Sequence, residues 1–257
     1  MMAKAIDLNP HFSATDLDMS PITDLSNFSS AEDSAILIDL FQDAVIRAQA
    51  NDIAMSLPDD YKAIYLRKNI TFIKNALQES LRPHLAPELL RSLMNELCSA
   101  INLFYRLTRD ESPLVSMRMV TQEYVTKEYP SVSQYYHRDA AAMTLTKCFY
   151  GEGAIYIREE NTKRGYFQTN SIALNDTDAA YDKTDFHVVP PTKWILLKGE
   201  MYEGIDSRNQ SVIDIVLGEN SKFTAFSKGK GLIHKGGRFI DTDRRLVFTL
   251  STYKTEF

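Results

Sequence analysis

The sequence predicts an α+β protein in which N-terminal helices pack on a C-terminal jelly-roll core. Two observations predict this class. Between residues 30 and 112, apolar residues recur at helical spacing, which is typical of helices with one buried face. After Pro113 the chain changes to short β-branched or aromatic segments separated by Gly, Asn, Asp or Pro turns. About ten such segments without helical patterns between them favour a sandwich or barrel.

Three helices are predicted in the first half. The first begins at Ser30, a suitable N-cap, and includes the run "AILIDLFQDAVI". The second follows Pro58 and the third begins near Pro87. The third helix carries an apolar stripe of Leu90, Leu93, Met94, Leu97, Ile101 and Phe104. We expect these helices to lie against a larger core, because each has only one apolar face.

The predicted domain organisation has three parts. Residues 1–29 are rich in Ser, Asp, Thr and Asn, which predicts an arm that is extended or partly disordered. Residues 30–112 carry no catalytic motif, and we interpret them as a helical buttress. Residues 113–257 are the predicted catalytic core, in one structural unit with the buttress. The predicted strands include LVSMRMVTQEYV, SQYYHRD, MTLTKCFY, AIYIRE, YFQTNSIAL, DFHVVPP, KWILLKG, SVIDIVL, KFTAFS, GLIHKGG and RRLVFTLSTY.

Composition excludes several classes of protein. The net charge is −5 and no cluster of Lys and Arg stands out, so a nucleic-acid partner is not expected. No apolar run approaches the roughly 20 residues that span a bilayer, and the first residues lack the pattern of a secretory signal. Two cysteines, Cys98 and Cys148, make no disulfide framework. We therefore expect a cytoplasmic protein without a membrane partner.

The segment "YYHRDAAAMTLTKCFYGEG" contains the first candidate site residues. In a strand, residues two apart point to the same face, so His137 and Asp139 can present an imidazole and a carboxylate side by side. Such a pair alone is weak evidence. His234 strengthens it, because it lies late in the β-rich half between glycines, in "GKGLIHKGG". Two histidines and one carboxylate are the ligand set of non-haem Fe(II) oxygenases.

Together these residues resemble the Fe(II)/2-oxoglutarate-dependent dioxygenase superfamily. The resemblance covers about residues 114–253. The pattern of these residues is most similar to that of a bacterial branch of the superfamily whose biochemistry is unassigned. It implies a double-stranded β-helix in which His137, Asp139 and His234 are the metal-binding and catalytic residues. It further implies Fe(II), 2-oxoglutarate and O₂ as cofactor and cosubstrates, with ascorbate supporting activity. A carboxylate at position 139 implies hydroxylation or a related oxidation rather than halogenation.

The superfamily also places a basic residue about ten positions after the distal histidine, where it binds the far carboxylate of 2-oxoglutarate. Two adjacent arginines, Arg244 and Arg245, occur there and must point to opposite strand faces. Arg245 shares its face with Val247, Thr249 and Ser251, which leave room for a ligand, and is the preferred candidate. Arg244 shares its face with larger apolar residues. Lys147 is a third candidate, although an exposed lysine whose stem covers apolar surface is the commoner situation.

Other functions stay open at this level. The chain could be a metal enzyme that uses the triad without 2-oxoglutarate, or a non-catalytic metal- or ligand-binding protein on the same fold. The substrate is an organic small molecule, a peptide or a protein, and neither its identity nor the oligomeric state follows from the sequence.

Overall fold

The computed structural model describes residues 35–38, 44–127, 134–170, 172–199 and 231–253. The predicted arm of residues 1–29 lies outside these residues. So do the predicted strands SVIDIVL and KFTAFS, within residues 201–230.

Three helices occupy the first half: α1 (Ala44–Ser56), α2 (Ile70–Leu81) and α3 (Pro87–Thr108). In α2, Asn69 caps the first turn, because its side chain accepts a hydrogen bond from the Phe72 amide at 2.8 Å. Helix α3 begins with Pro87, whose missing N–H costs nothing in a first turn. The predicted apolar stripe of α3 is buried along its length.

Two strands interrupt the region for which only helices were predicted. They are β1 (Ala35–Ile38) and β2 (Lys62–Tyr65). The segment AILI is wholly apolar, and such a short run has no periodicity that separates a helix from a strand. Around β2, Tyr61 and Ala63 are buried while Lys62 and Ile64 are exposed, which is the period of a strand. The prediction of helix over residues 35–38 and 62–65 is therefore wrong, because both segments are strands.

The second half supplies nine strands within the described residues. They are β3 (Leu114–Thr121), β4 (Tyr136–His137), β5 (Met143–Tyr150), β6 (Ile155–Tyr156), β7 (Ile172–Ala173), β8 (His187–Val188), β9 (Trp194–Lys198), β10 (His234–Lys235) and β11 (Arg244–Thr252). One sheet has the order β1-β9-β5-β11-β3-β2 and the other β7-β4-β10-β6-β8. All pairings between these strands are antiparallel. The coarse prediction of an antiparallel β-core with helices is confirmed.

Short helices between the strands were not predicted. They are α4 (Gln122–Lys127), α5 (Arg164–Thr169) and α6 (Asp176–Ala179). Helix α5 takes the first half of the predicted strand YFQTNSIAL. Two aromatic residues stand next to each other there, and the helical turn buries Phe167 fully while Tyr166 packs beside the same core cluster. An adjacent apolar pair does not distinguish this arrangement from a strand.

Helix α3 contacts the six-stranded sheet through a buried polar cluster. Glu96 on α3 accepts hydrogen bonds from Lys147 on β5 at 2.5 Å and from the indole of Trp194 on β9 at 3.1 Å. Near the end of the helix, Asp110 accepts a hydrogen bond from Thr252 on β11 at 2.6 Å. These bonds hold α3 against the three central strands. Among the described residues, no helix combines the length and the apolar character needed to cross a bilayer.

Candidate metal centre and its cavity

His137 and His234 lie directly opposite each other on neighbouring strands of the five-stranded sheet. His137 ends β4, His234 begins β10, and the antiparallel register pairs the two residues. Opposite residues of such a pair share a face, and the two ring centres are 4.5 Å apart. The two candidate histidine ligands are therefore adjacent in the structure.

Asp139 completes the cluster from just beyond the end of β4. Its Oδ1 lies 3.6 Å from Nε2 of His137 and 3.5 Å from Nε2 of His234. One ligand atom from each of the three residues falls within 4.8 Å of the others. In the described ranges, no other group of three His, Cys, Asp or Glu side chains converges in this way.

Backbone carbonyls orient both imidazoles. Nδ1 of His137 lies 2.7 Å from the carbonyl oxygen of Tyr135, and Nδ1 of His234 lies 3.1 Å from that of Leu232. A carbonyl oxygen only accepts, so each Nδ1 carries the proton and donates. In the neutral rings Nε2 is then an acceptor with a free lone pair, directed at Asp139. This is the tautomer that metal binding requires.

Two hydroxyl groups orient the carboxylate. Thr144 on β5 lies beside Asp139 and favours the ionised form of its carboxyl group. Its Oγ1 lies 3.1 Å from Oγ of Ser251 on β11, and either hydroxyl group can donate in that hydrogen bond. The bond between Thr144 and Ser251 connects the surroundings of the metal cluster to the middle of the six-stranded sheet.

The electrostatics of the cluster favour an ionised carboxylate and a neutral imidazole. Burial raises the pKa of Asp139, but His234, His137 and Thr144 outweigh that effect and hold it well below its usual range. Burial lowers the pKa of His234 below its ordinary value, and His137 adds to this effect while Asp139 opposes it. Both groups are thus in the protonation state that binds a cation at neutral pH.

This donor set fits a divalent first-row metal. Two imidazole nitrogens and one carboxylate oxygen are the ligands that suit non-haem Fe(II). Ligand bonds of about 2.1 Å at right angles place neighbouring donor atoms roughly 3 Å apart. The distances of 3.5 and 3.6 Å from Asp139 to the two rings need only a small contraction to reach that value.

A cavity of about 510 Å³ opens at the cluster. The triad lies on one side of it, and the face of β11 that carries Val247, Thr249 and Ser251 lies on another. Apolar side chains of Ile172, Val189 and Ile195 also line it. Such a mixture of apolar wall and a few polar groups is typical of a site for a small organic ligand.

Arg245 reaches into this cavity from β11. The residue is 2% exposed, and its buried Nε has no hydrogen-bond partner among the described residues. Its guanidinium lies over the Phe239 ring, 4.8 Å from the ring centre. Burial lowers the pKa of Arg245, and the positive charge of Arg118 adds to this effect. A buried cation with an unused donor is suited to bind an anion.

A glycine makes room for this arginine. Gly151 follows β5 with a φ of 86°, in the left-handed region that favours glycine. A Cβ at this position would lie 2.6 Å from Cγ of Arg245. The turn residue therefore also determines how closely Arg245 packs against β5.

Neither alternative candidate for the clamp directs its charged group into the cavity, although Lys147 contributes to the cavity lining. Arg244 extends from the opposite face of β11, where its guanidinium contacts the Asp59 carboxylate and the Leu57 carbonyl. Lys147 is 3% exposed rather than solvated, and its ammonium is paired with Glu96 on α3. On β5, Lys147 is opposite Phe248, whereas its neighbour Thr146 is opposite Thr249. Its ammonium is thus directed to the helix side of the sheet.

Sequence reasoning missed two polar residues around the site, Thr144 and Arg118, and named Ser251 only for the space that it leaves to a ligand. The signal for the first was the series Thr144, Thr146 and Cys148, small residues at strand spacing on one face of β5. For Arg118 it was a single charged residue within the strand β3, LVSMRMVT. Arg118 lines the cavity.

Comparisons with known proteins give similarity only to solved structures. No protein-family model and no curated protein matches the chain. A dioxygenase for auxin oxidation from rice, solved as a crystal structure, is 9% identical in sequence to this chain, with a TM-score of 0.45. The match covers 87% of this chain and 74% of that protein.

Two further solved structures are similar to this chain at a comparable level. Dioxygenase for auxin oxidation 1 from Arabidopsis thaliana, a 2-oxoglutarate complex, is 8% identical over 86% of this chain and 84% of its own, with a TM-score of 0.44. A full-length Neurospora crassa protein in complex with alpha-KG is 10% identical in sequence, with a TM-score of 0.38. That match covers 89% of this chain and 76% of the Neurospora protein. Because all three TM-scores lie below 0.5, the functional assignment rests on this chain's own site.

Proposed function

We propose that this chain is an Fe(II)- and 2-oxoglutarate-dependent oxygenase with a double-stranded β-helix core. The observation that carries the proposal is the pairing of two features in one cavity. The first is the cluster of His137, Asp139 and His234, with both Nε2 atoms directed inward. The second is Arg245, a nearly fully buried arginine with an unused donor that lines the same cavity.

Each residue has a defined role in this proposal. His137, Asp139 and His234 hold the metal, and Ser251 and Thr144 keep the Asp139 carboxylate oriented. Arg245 binds the far carboxylate of 2-oxoglutarate, for which a buried guanidinium is well suited. Bound Fe(II) supplies the place where 2-oxoglutarate and O₂ react, and ascorbate supports activity by keeping the iron reduced. The apolar wall of Val189 and Ile195 excludes water from this space.

The outcome of the reaction follows from the ligand set. A carboxylate at position 139 occupies the place that a halide would need, so the product is a hydroxylated or otherwise oxidised substrate. The substrate is a small organic molecule or a peptide or protein side chain, in keeping with a cavity of about 510 Å³. The helical first half then supports the core and has no catalytic role of its own.

The test measures binding and turnover in parallel. Binding of 2-oxoglutarate is measured by equilibrium dialysis with Zn(II) in place of iron, for the unmodified protein, His234→Ala and the control His187→Ala. His187 lies 3.0 Å from Asp185 and is not among the described residues that line the cavity. Succinate formation is then measured with Fe(II), 2-oxoglutarate, O₂ and ascorbate. We expect metal-dependent binding and slow succinate formation in the unmodified protein and the control, and neither in His234→Ala.

Two other results of this test would favour a function different from the proposed one. Metal binding without any binding of 2-oxoglutarate contradicts the proposal and favours a metal enzyme that does not use this cosubstrate. Absence of metal binding by the unmodified protein leaves a non-catalytic ligand-binding role on the same fold.

A further inference from the structure

Three basic residues form a row across neighbouring strands of the six-stranded sheet. Lys62 on β2 is directly opposite Arg118 on β3. Arg118 is opposite Val247 on β11, and Arg245 is opposite Val120. Arg118 and Arg245 are therefore diagonal neighbours, within reach of each other's long side chains. Both line the cavity.

No acidic residue forms an ion pair with Lys62, Arg118 or Arg245 within the described part of the chain. Two lysines near the cavity do have carboxylate partners: Lys235 lies 3.3 Å from Asp176, and Lys147 is paired with Glu96. Like charges opposite each other on a sheet are destabilising. In a chain with a net charge of −5, this arrangement indicates a binding role for the two arginines that line the cavity, whereas Lys62 is exposed outside it.

The surroundings of Arg118 favour a ligand with an apolar body. The residue is half-buried, and Leu114, Val120 and Val247 line the cavity around it. A guanidinium in such surroundings binds a carboxylate or phosphate through two parallel hydrogen bonds, while the apolar wall contacts the rest of the molecule.

On the basis of the proposed function, 2-oxoglutarate occupies Arg245 in the loaded cavity. Arg118 lines the same cavity and makes no ion pair within the described residues, so it is left to bind a second anion.

We propose that the substrate is an organic anion with an apolar body, and that Arg118 binds its acidic group. The acidic group is a carboxylate or a phosphate ester, since both suit the guanidinium. Arg118 is then a specificity-determining residue, distinct from the residue that binds 2-oxoglutarate.

The test uses full-length protein loaded with Zn(II) and saturated with 2-oxoglutarate, so that no turnover occurs. Binding of phenylacetate, phenyl phosphate and the uncharged phenylacetamide is measured by calorimetry for the unmodified protein, Arg118→Gln and Lys62→Gln. The last variant is a matched control, because it removes the same charge from the exposed neighbour of Arg118. Retained 2-oxoglutarate is measured in every sample.

We expect at least one of the two anions to bind about tenfold or more tightly than the amide. Arg118→Gln should abolish this preference, and Lys62→Gln should keep it. The inference is overturned if neither anion is preferred, or if the preference survives in Arg118→Gln. Loss of 2-oxoglutarate from Arg118→Gln alone would also overturn it, by assigning Arg118 to the cosubstrate. Absence of 2-oxoglutarate binding by the unmodified protein would instead contradict the proposed function.

Discussion

Thr144 lies beside Asp139 and favours its ionised form, so it connects the candidate metal ligand to the centre of the six-stranded sheet. Asp139 lies beyond the end of a two-residue strand, where backbone pairing alone holds it weakly. The Thr144 hydroxyl, itself 3.1 Å from that of Ser251, fixes the carboxylate relative to both histidines. Outer hydrogen bonds of this kind typically change metal affinity by about 10–100-fold.

Thr144→Val should therefore weaken Zn(II) or Fe(II) binding by about 10–100-fold while the triad stays complete. Thr146→Val is the matched control, since Thr146 lies on the same face of β5 but bonds to Thr249 and the Phe248 carbonyl. Metal affinity is measured by competition with a chromophoric chelator. Equal losses in the two variants would show that strand stability, rather than the bond to Asp139, is responsible.

The two adjacent arginines of β11 should behave differently. Arg245→Leu should weaken 2-oxoglutarate binding by about 30-fold to several thousand-fold, since it removes one partner of a buried charge pair. Metal binding should be nearly unchanged, because Arg245 is not one of the converging ligands. Arg244→Leu should change the affinity by less than about tenfold, because its guanidinium contacts Asp59 on the other face.

Affinity for 2-oxoglutarate with Zn(II) in place of iron separates these outcomes. A large loss in Arg244→Leu with none in Arg245→Leu would contradict the observed face of β11. If neither substitution matters, Arg245 is not the clamp and Arg118 is the next cavity cation to test.

The buried pair of Glu96 and Lys147 should show a non-additive effect on stability. Both side chains are almost inaccessible, at 1% and 3% exposure. Glu96→Leu leaves the Lys147 ammonium buried without its partner, which should lower the free energy of unfolding by about 3–5 kcal/mol. The double variant Glu96→Leu/Lys147→Met should recover much of that loss, because it removes both charges.

Urea unfolding monitored by tryptophan fluorescence measures this cycle. Trp194 is the single tryptophan and donates to Glu96, so its emission reports on the same cluster. Additive losses in the double variant would mean that Lys147 does not depend on Glu96.

The stability of the metal-free protein should decrease on acidification below about pH 6.5. The pKa of His234 is lowered from its ordinary 6.5, so the unfolded chain binds this proton first as the pH falls. Stability then rises with pH across that window. Asp139, whose pKa is also lowered, contributes stability that is lost only at more acidic pH.

Urea midpoints at pH 7 and pH 5 in the presence of a chelator test this expectation. The decrease between the two pH values should be smaller in His234→Gln than in the unmodified protein. Identical decreases would show that His234 titrates alike in the folded and unfolded states.

Much of the site was predictable because its elements are local. His137 and Asp139 are two residues apart, and the alternation of β11 placed Arg245 with Val247, Thr249 and Ser251 on one face. The second relation follows from strand geometry alone, whereas Asp139 lies just beyond the end of β4, so strand alternation does not by itself bring it to His137. Helix α3 was predictable for a similar reason, since its stripe runs over several turns and no competing period fits it.

Tertiary structure decided what depends on residues far apart in the chain. The register that sets His234 opposite His137 joins positions 97 residues apart, and no local pattern contains it. Lys147 has the sequence pattern of an exposed residue, yet Glu96 on a helix 51 positions away holds it in the core. Strands β1 and β2 form because partners in β9 and β3 complete their hydrogen bonds. The sequence alone thus determined which residues are candidates for metal and cosubstrate binding, while strand pairing decided which of them lie together.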